Sequence, residues 1–490
     1  MNGLADQQLE IELKLELDSE NATKIQRFLR KSLKRDQAQA LDSVYFDTAE
    51  QHLRKARFSL RIRHIGKRRI QTLKAAGEAT AGLFTRPEWE RDIKSNVPLL
   101  DRESAFLENF VPESALADLH PVFRTVVHRY LFEAIERDNF IEVSFDQGEI
   151  RAGRRKQPLC EVEIELKRGD PALLFKLAQE INAVVPVRLG VLSKAERGYN
   201  LARSAKVQAI KADPVLLMTE MTSAKALQAI AQSCIRHFRL NETILSRHDD
   251  AGALHQTRVA LRRLRSVITL FRKMLTDERY EALRTDIKWM ATALGMARNI
   301  DVLIAGLESR PVPKALLAAR RHAYAQARAS LDSPRWRKLM LELAEWLSIG
   351  PWLTHPKNRS RCNRPIAQSA VRILERSLRR FERRGRGLVH LDDHARHRVR
   401  IEAKKLRYAA EFFETLFPSR DAKQRRKAFG RAIEALLDSL GDLNDLTVVP
   451  ALLKDLDLRQ VRFGIHNRKR LLKKAERQYK TLLKITPFWQ

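Results

Sequence analysis

Leu9-Glu10-Ile11-Glu12-Leu13-Lys14-Leu15-Glu16-Leu17 alternates apolar and charged residues without interruption. A period of two is that of a β-strand, whose successive side chains point to opposite faces. Glu10, Glu12 and Lys14 therefore share one face, and Leu9, Ile11, Leu13, Leu15 and Leu17 the other. Taken alone, this is an ordinary half-buried strand with its charged side in water.

The following 180 residues weaken that reading. Arg61 and Arg63 share a face in Phe58 to Ile65, as do Glu88 and Glu90. Glu161, Glu163, Glu165 and Lys167 do so in Cys160 to Lys167, and Phe140 to Phe145 alternates as well. Lys74 follows Thr72 and Leu73, and Arg129 lies within Val126 to Phe132. Gly66, Asp146-Gln147-Gly148 and Gly153 supply turn chemistry. Two helical stretches, Ala22 to Leu33 and Leu173 to Val184, interrupt the strands. Buried charge of both signs is costly unless it is paired or ligand-bound. Separate carboxylate and guanidinium clusters suit a hard divalent cation held together with phosphate oxygens.

The chain has 490 residues and a net charge of +32, and it divides electrostatically. Residues 1–209 hold 35 Lys+Arg against 31 Asp+Glu, and the remainder holds 57 against 29. A polycationic half of this kind attracts a polyanion. The β alternation ends at Ala205 to Thr222, which contains Asp213-Pro214, so we expect domains at 1–205 and 223–490 with a linker at 206–222. No apolar run approaches a membrane span, and Met1 to Leu9 has no leader core. Cys160, Cys234 and Cys362 are too sparse for a disulfide framework or a zinc site. A cytoplasmic protein without a membrane partner is expected, associated with polyphosphate granules if the polyanion is polyphosphate.

Beyond residue 223 the apolar spacing is helical: Ala224 to Ser246, His255 to Met274, Tyr280 to Leu294, Lys314 to Leu331 and Arg335 to Leu347, then Ile366 to Arg384, His394 to Leu416, Lys423 to Leu440, Leu446 to Leu456 and a basic tail, Gln460 to Lys484. This half repeats itself. His255-Gln-Thr-Arg258-Val-Ala-Leu-Arg262-Arg263-Leu-Arg265 aligns without gaps to His397-Arg-Val-Arg400-Ile-Glu-Ala-Lys404-Lys405-Leu-Arg407. Each copy is followed by a Leu-Gly step and an acid: Leu294-Gly295 with Asp301, and Leu440-Gly441 with Asp445. Positions i, i+3, i+7 and i+10 of a helix fall within an arc of about 80°. His255, Arg258, Arg262 and Arg265 thus form one cationic stripe, and His397, Arg400, Lys404 and Arg407 a second, with Arg263 and Lys405 to one side. Stacked like charges destabilise a helix, which a bound anion would offset. Asp301 and Asp445 are candidates to pair with the stripes. Aromatics are nearly absent from both stripes, which disfavours nucleic acid as the partner.

Glu10-x-Glu12-x-Lys14 resembles the ExExK signature of the CYTH, or triphosphate tunnel metalloenzyme, superfamily. Tyr45-Phe46-Asp47, Leu60-Arg61-Ile62-Arg63, Thr72-Leu73-Lys74, Glu88-Trp89-Glu90, Arg129, Asp146-Gln147-Gly148, Glu161 to Glu165 and Ser193 to Tyr199 match in order over about 200 residues. The resemblance implies an eight-stranded antiparallel tunnel that binds a triphosphate and Mg²⁺ or Mn²⁺. By position it assigns Glu10, Glu12, Asp146, Glu161, Glu163 and Glu165 to metal. It assigns Lys14, Arg61, Arg63, Lys74, Arg129, Lys194 and Arg197 to the triphosphate. Glu88 and Glu90 would support the basic residues or bind metal.

The stripes resemble those of the CHAD domain, which carries His-x-x-Arg in each half. That resemblance implies inorganic polyphosphate binding by His255, Arg258, Arg262, Arg263, Arg265, His397, Arg400, Lys404, Lys405 and Arg407. Here Asn299 replaces an expected Asp, and the second acidic segment is shortened to Leu440-Gly441-Asp442-Leu443-Asn444-Asp445. The expected fold is multidomain α+β: an N-terminal antiparallel β-barrel (tunnel) with flanking helices, then an all-α domain of two pseudo-symmetric bundles. The expected function is metal-dependent hydrolysis of tripolyphosphate to diphosphate and phosphate, with polyphosphate bound by the second domain. A polyphosphate-binding scaffold with little turnover and a hydrolase of thiamine triphosphate or a nucleotide are the alternatives.

Overall fold

The computed structural model describes residues 8–75, 78–80, 83–100, 107, 110–203, 208–275, 277–307, 311–456 and 467–490. The side chains of residues 8–10, 35–36, 78–80, 84–86 and 113 lie outside the description. The chain forms two compact units, residues 1–207 with 332–349, and residues 208–331 with 350–490.

Among the described residues the first unit has ten antiparallel strands: β1 (Gln8–Glu16), β2 (Lys34–Asp47), β3 (Phe58–Ile65), β4 (Arg68–Ala75), β5 (Glu78–Thr80), β6 (Leu83–Asp92), β7 (His120–Glu136), β8 (Asn139–Ala152), β9 (Arg155–Arg168) and β10 (Arg188–Leu189). Their order is β10-β1-β9-β8-β7-β2-β3-β4-β6-β5. The expected N-terminal barrel is thereby corrected. The order ends in two edge strands, β10 and β5, so the strands form an antiparallel sheet rather than a closed eight-stranded barrel. β1 also pairs with β6, but only from Gln8 to Leu13, because β10 takes Leu15 and Glu16. Tight hairpins need positive φ, which Gly66 (57°) and Gly153 (56°) supply at low steric cost.

β1 is buried on both faces. Leu13 and Leu15 are fully buried on the apolar side, against which the helix Ala172–Val184 packs with Leu174, Phe175, Leu177, Ala178 and Ile181. On the charged side Glu12 is 3% exposed and Lys14 1%. The plain amphipathic strand is therefore overturned: its charged face is an interior. The helix Pro334–Ile349 belongs to this unit as well, packing on Ala172–Val184 and β10. Arg337 Nε donates to Asn182 Oδ1 at 3.3 Å, and Arg188 is ion-paired to Asp332.

The second unit is helical, and its repeat is visible. Ser223–Leu245 packs on Ala251–Leu270, as Ile366–Gly385 packs on Asp393–Phe412. The two copies meet where Ser223 Oγ donates to Ser369 Oγ at 2.7 Å. After that they diverge. Leu294-Gly295 separates the helices Tyr280–Ala293 and Gly295–Ala305, whereas Arg420–Asp455 runs unbroken through Gly441. The expected break there does not form, because Leu440, Leu443, Val449 and Leu452 keep one buried face in register. Trp336, Trp346 and Trp352 are fully buried packing residues. The tail helix is described as Arg468–Leu483, and the part of the expected tail before residue 467 lies outside the described residues. Among the described residues no helix is long and apolar enough to cross a membrane.

Candidate functional site

Register carries the charged residues of distant strands onto one face. Lys14 on β1 lies opposite Glu163 on β9, Glu161 opposite Asp146 on β8, and Asp146 opposite Arg129 on β7. Further along, Tyr45 on β2 lies opposite Arg61 on β3, Arg61 opposite Thr72 on β4, and Lys74 opposite Glu88 on β6. Paired residues of adjacent strands project to the same side, so the period-two pattern of each strand becomes a single charged surface.

At one end of this surface, carboxylate oxygens of Asp146, Glu161 and Glu163 lie within 4.8 Å of one another. Four cations hold them. Arg129 donates from Nε and Nη2 to the two oxygens of Asp146 at 2.7 and 2.6 Å, and from Nη2 to Glu163 at 2.7 Å. Lys194 reaches all three carboxylates, at 2.8 Å to Asp146, 2.5 Å to Glu161 and 2.9 Å to Glu163. Lys14 donates to Glu163 at 2.6 Å and to Glu161 at 3.3 Å, and Arg197 Nη1 donates to Glu161 at 3.4 Å. Gly190 makes room for Lys14, because a Cβ there would stand 2.5 Å from its Cγ. Burial opposes ionisation of these acids, but Arg129 and Lys194 hold Asp146 down to about 2. Lys14, Lys194 and Arg129 likewise hold Glu163 well below the usual range. Three clustered carboxylates are hard oxygen donors of the type that takes Mg²⁺ or Mn²⁺, so the donor set fits a divalent cation.

At the other end the cations are unevenly compensated: burial opposes the charge of Arg61, but Tyr45, Glu88 and Glu90 outweigh it and raise Arg61. Arg61 stands 3.7 Å from both Glu88 and Glu90, and Lys74 is 2.9 Å from Glu88. The two glutamates thus support basic residues. The Nε atoms of Arg61 and Arg63 are buried without a hydrogen-bond partner. Burial, followed by Arg61 and Arg129, lowers Arg63 to about 10. Donors left unpaired in a dry site are costly, and a polyanion would satisfy them.

Of the other residues assigned to metal by position, Glu12 and Glu165 are not among the three clustered carboxylates. Glu12 is buried opposite Glu165, and Glu165 is held by Lys167 at 2.6 Å. The Glu10 side chain lies outside the described residues, although its backbone pairs with Arg86. Sequence reasoning missed Tyr45, which hydrogen-bonds Arg61; burial pushes its hydroxyl up, but Arg61 and Arg63 outweigh that and lower it. The signal was its place in the Tyr45-Phe46-Asp47 match; its register opposite Arg61 came only with the fold. Cys160 is pushed up to about 12 by burial and is no nucleophile at neutral pH.

In the helical unit the two stripes meet. Helix Ala251–Leu270 packs on Asp393–Phe412, and Arg262 Nε donates to Tyr408 Oη at 3.3 Å. Burial and then Arg400, Arg262, Arg407 and Arg258 lower Lys404 to about 6. Burial and then Arg298, Arg262, Arg258 and Lys404 lower His255 to about 4. The Nε atoms of Arg258, Arg400 and Arg407 are buried without a hydrogen-bond partner, although Arg407 Nε stands 3.7 Å from Glu411. Behind the cluster, Gly295 and Gly441 each give van der Waals room to one guanidinium, with a would-be Cβ 3.5 Å from Arg258 Nη1 and Arg400 Nη2 respectively.

The remaining stripe residues sit apart. Arg263 is ion-paired to Glu411 at 2.6 Å, Lys405 to Glu402 at 3.0 Å, Arg265 is exposed beside Arg284, and His397 meets Asn444 at 3.0 Å. Asp301 does not pair with a stripe; it accepts from Arg320 Nε at 2.7 Å and Tyr324 Oη at 2.6 Å. Arg298, missed by the pattern, joins the cluster beside His255.

Family models match residues 8–199 as a CYTH domain and residues 229–454 as a CHAD domain. The chain is a CYTH domain fused to a CHAD domain. The chain is 34% identical over 198 residues to the inorganic triphosphatase of Haemophilus influenzae, a match covering 39% of this chain and 54% of that protein. It therefore spans about half the length of that curated relative. The crystal structure of the CHAD domain from the plant Ricinus communis is 29% identical, covering 56% of this chain and 90% of that one, with a TM-score of 0.45. A putative adenylyl cyclase from Hippeastrum, described as having a dominant triphosphatase activity, is 20% identical over 41% of this chain and 97% of its own, with a TM-score of 0.32. The CYTH domain is thus related to inorganic triphosphatases and carries a three-carboxylate cluster suited to a metal.

Proposed function

We propose that the CYTH domain is a metal-dependent inorganic triphosphatase and that the CHAD domain binds inorganic polyphosphate. The observation that carries the first part is one sheet face with carboxylates within 4.8 Å of one another at one end and the unpartnered Nε atoms of Arg61 and Arg63 at the other. Asp146, Glu161 and Glu163 would hold Mg²⁺ or Mn²⁺, which when bound neutralises phosphate oxygens and the charge developing on the leaving group.

The protein's own groups do the rest. Arg61, Arg63 and Lys74 bind non-bridging oxygens and favour a triphosphate over a less charged ester. Arg61 and Arg63 also stabilise the departing diphosphate, the kind of preorganised electrostatic contribution that dominates many active sites. A water oxygen forms the new bond to the terminal phosphorus while the anhydride P–O bond breaks. Diphosphate leaves with the electron pair, and the water proton passes to the phosphate products. Lys14, Lys194 and Arg129 neutralise the carboxylates in the resting site and are free to turn to phosphate once a cation takes those oxygens.

In the CHAD domain, the cationic cluster of His255, Arg258, Arg262, Arg298, Arg400, Lys404 and Arg407, only partly offset by Glu411 and Asp445, suits a flexible polyanion. Two tests are decisive: phosphate release from tripolyphosphate, ATP and thiamine triphosphate with and without Mg²⁺ or Mn²⁺, and polyphosphate binding by the same preparation. Metal-dependent release fastest from tripolyphosphate is expected. No release from any of them, with polyphosphate still bound, would make the protein a binding scaffold instead.

A further inference from the structure

The tail helix Arg468–Leu483 lies beyond the residues matched as a CHAD domain. It is anchored firmly. Leu471, Ala475, Tyr479 and Leu482 are buried, Tyr479 Oη donates to Glu382 O at 2.8 Å, and its ring packs on Phe381 at 5.3 Å. Tyr479 also fills the space left by Gly385, where a Cβ would stand 2.3 Å from the ring. A helix held this way presents a constant outer face.

That outer face repeats the logic of the two stripes. Lys469, Lys473, Arg477 and Lys480 fall within an arc of about 80° and span roughly 16 Å of helix. All four are exposed. Lys469, Arg470, Lys473, Lys474 and Arg477 line a groove of about 1050 Å³ in which Asp442 is the lining carboxylate. Asp442 also lies in the field of Arg400, a member of the stripe cluster. The groove thus adjoins the cluster through Asp442, and Asp438 likewise lies in the field of both Lys474 of the groove and Arg407 of the cluster.

We infer that this groove is a second anion subsite, that its ligand is the continuation of a long inorganic polyphosphate chain whose other part fills the stripe cluster, and that it makes the domain select for chain length. The inference rests on the polyphosphate reading of the CHAD domain. Asp438 and Asp442, in the field of both subsites, separate them, so a short anion occupies one and only a long one occupies both. Occupying both makes the second contact intramolecular and raises avidity without altering either site. The exposed face of the helix carries no aromatic residue, since Tyr479, Phe488 and Trp489 are buried. This helix face therefore offers a single-stranded nucleic acid no stacking platform.

The test uses the full-length protein with Lys469→Ala, Lys473→Ala and Arg477→Ala combined. Their side chains are exposed, and an unchanged melting temperature checks the fold. Labelled polyphosphates of a few units and of about a hundred units are titrated at several salt concentrations. Long-chain affinity should fall about tenfold or more and its salt slope by roughly two, while short-chain affinity stays unchanged. Arg258→Ala with Arg400→Ala should weaken both. Unchanged long-chain binding in the tail variant, with both lengths lost in the stripe variant, overturns the subsite and leaves the domain's reading intact. Unchanged binding in both variants overturns the domain's reading itself. Loss of RNA binding alone in the tail variant also overturns the inference, in favour of nucleic acid.

Discussion

Tyr199 Oη donates a 2.8 Å hydrogen bond to Asp47 Oδ2, tying the last helix of the CYTH domain, Lys194–Ala202, to the end of β2. Both residues are buried, and Asp47 also accepts from the backbone N–H groups of Thr48, Leu53 and Arg54. The same helix begins with Lys194, so the bond fixes a residue that reaches all three clustered carboxylates. Tyr199→Phe should lower unfolding stability by about 1–2 kcal/mol, since the carboxylate keeps its other donors. Urea denaturation alongside the triphosphatase assay would check this. An unaltered midpoint would mean that the ring contact with Phe123, at 5.1 Å, carries the tie instead.

Arg61→Ala and Arg63→Ala should each reduce metal-dependent phosphate release about 100-fold or more, in line with removing one preorganised donor. Circular dichroism should be unchanged, because both side chains lie on the charged face of the sheet rather than in the apolar layer. Near-normal turnover in either variant would remove that guanidinium from the reaction.

Glu163→Gln should abolish the metal dependence. Glu163 accepts from Lys14, Lys194 and Arg129, so the neutral amide also leaves three cations short of a partner. Mn²⁺ binding followed by electron paramagnetic resonance reads the loss directly. A Mn²⁺ signal as strong as in the parent protein would place the metal elsewhere.

Lys404 predicts a pH effect on polyphosphate binding. Burial and Arg400, Arg262, Arg407 and Arg258 set it to about 6 in the free fold, against an ordinary value of about 10.4. A base lowered on folding weakens the fold below 6, and stability recovers as pH rises through that window. Phosphate beside it favours the ammonium form. Binding at pH 7 to 8 should therefore take up a proton and strengthen as pH falls. Calorimetry in two buffers of different ionisation heat measures the uptake, and Lys404→Arg, always charged, should reduce it. Equal heats in both buffers would count against the effect.

Gly441 and Gly295 should tolerate alanine, because a Cβ at 3.5 Å is in ordinary contact with the guanidinium. Gly441→Ala should even stabilise the helix Arg420–Asp455 by about 1 kcal/mol. Gly441→Leu should displace Arg400 and weaken polyphosphate binding about tenfold, measurable by fluorescence anisotropy, with stability as the control.

The sequence by itself determined which residues share a face. Period two set Glu12 with Lys14, Arg61 with Arg63, and Glu161 with Glu163 and Glu165. The 3.6-residue period set His255 with Arg258 and Arg262, and the ungapped repeat announced the second stripe. These are local consequences of backbone geometry, legible wherever a strand or helix forms. Only the tertiary structure decided which faces meet. The β8–β9 register drew Asp146 to Glu161 and left Glu165 to Lys167. The strand order, which ends in β10 and β5, gave an antiparallel sheet where a barrel was expected. Asp301 went to Arg320 and Tyr324, and Arg298 entered the stripe cluster. Each of these turns on long-range packing, where a charge takes the nearest partner that desolvation leaves it, and no spacing along the chain encodes that distance.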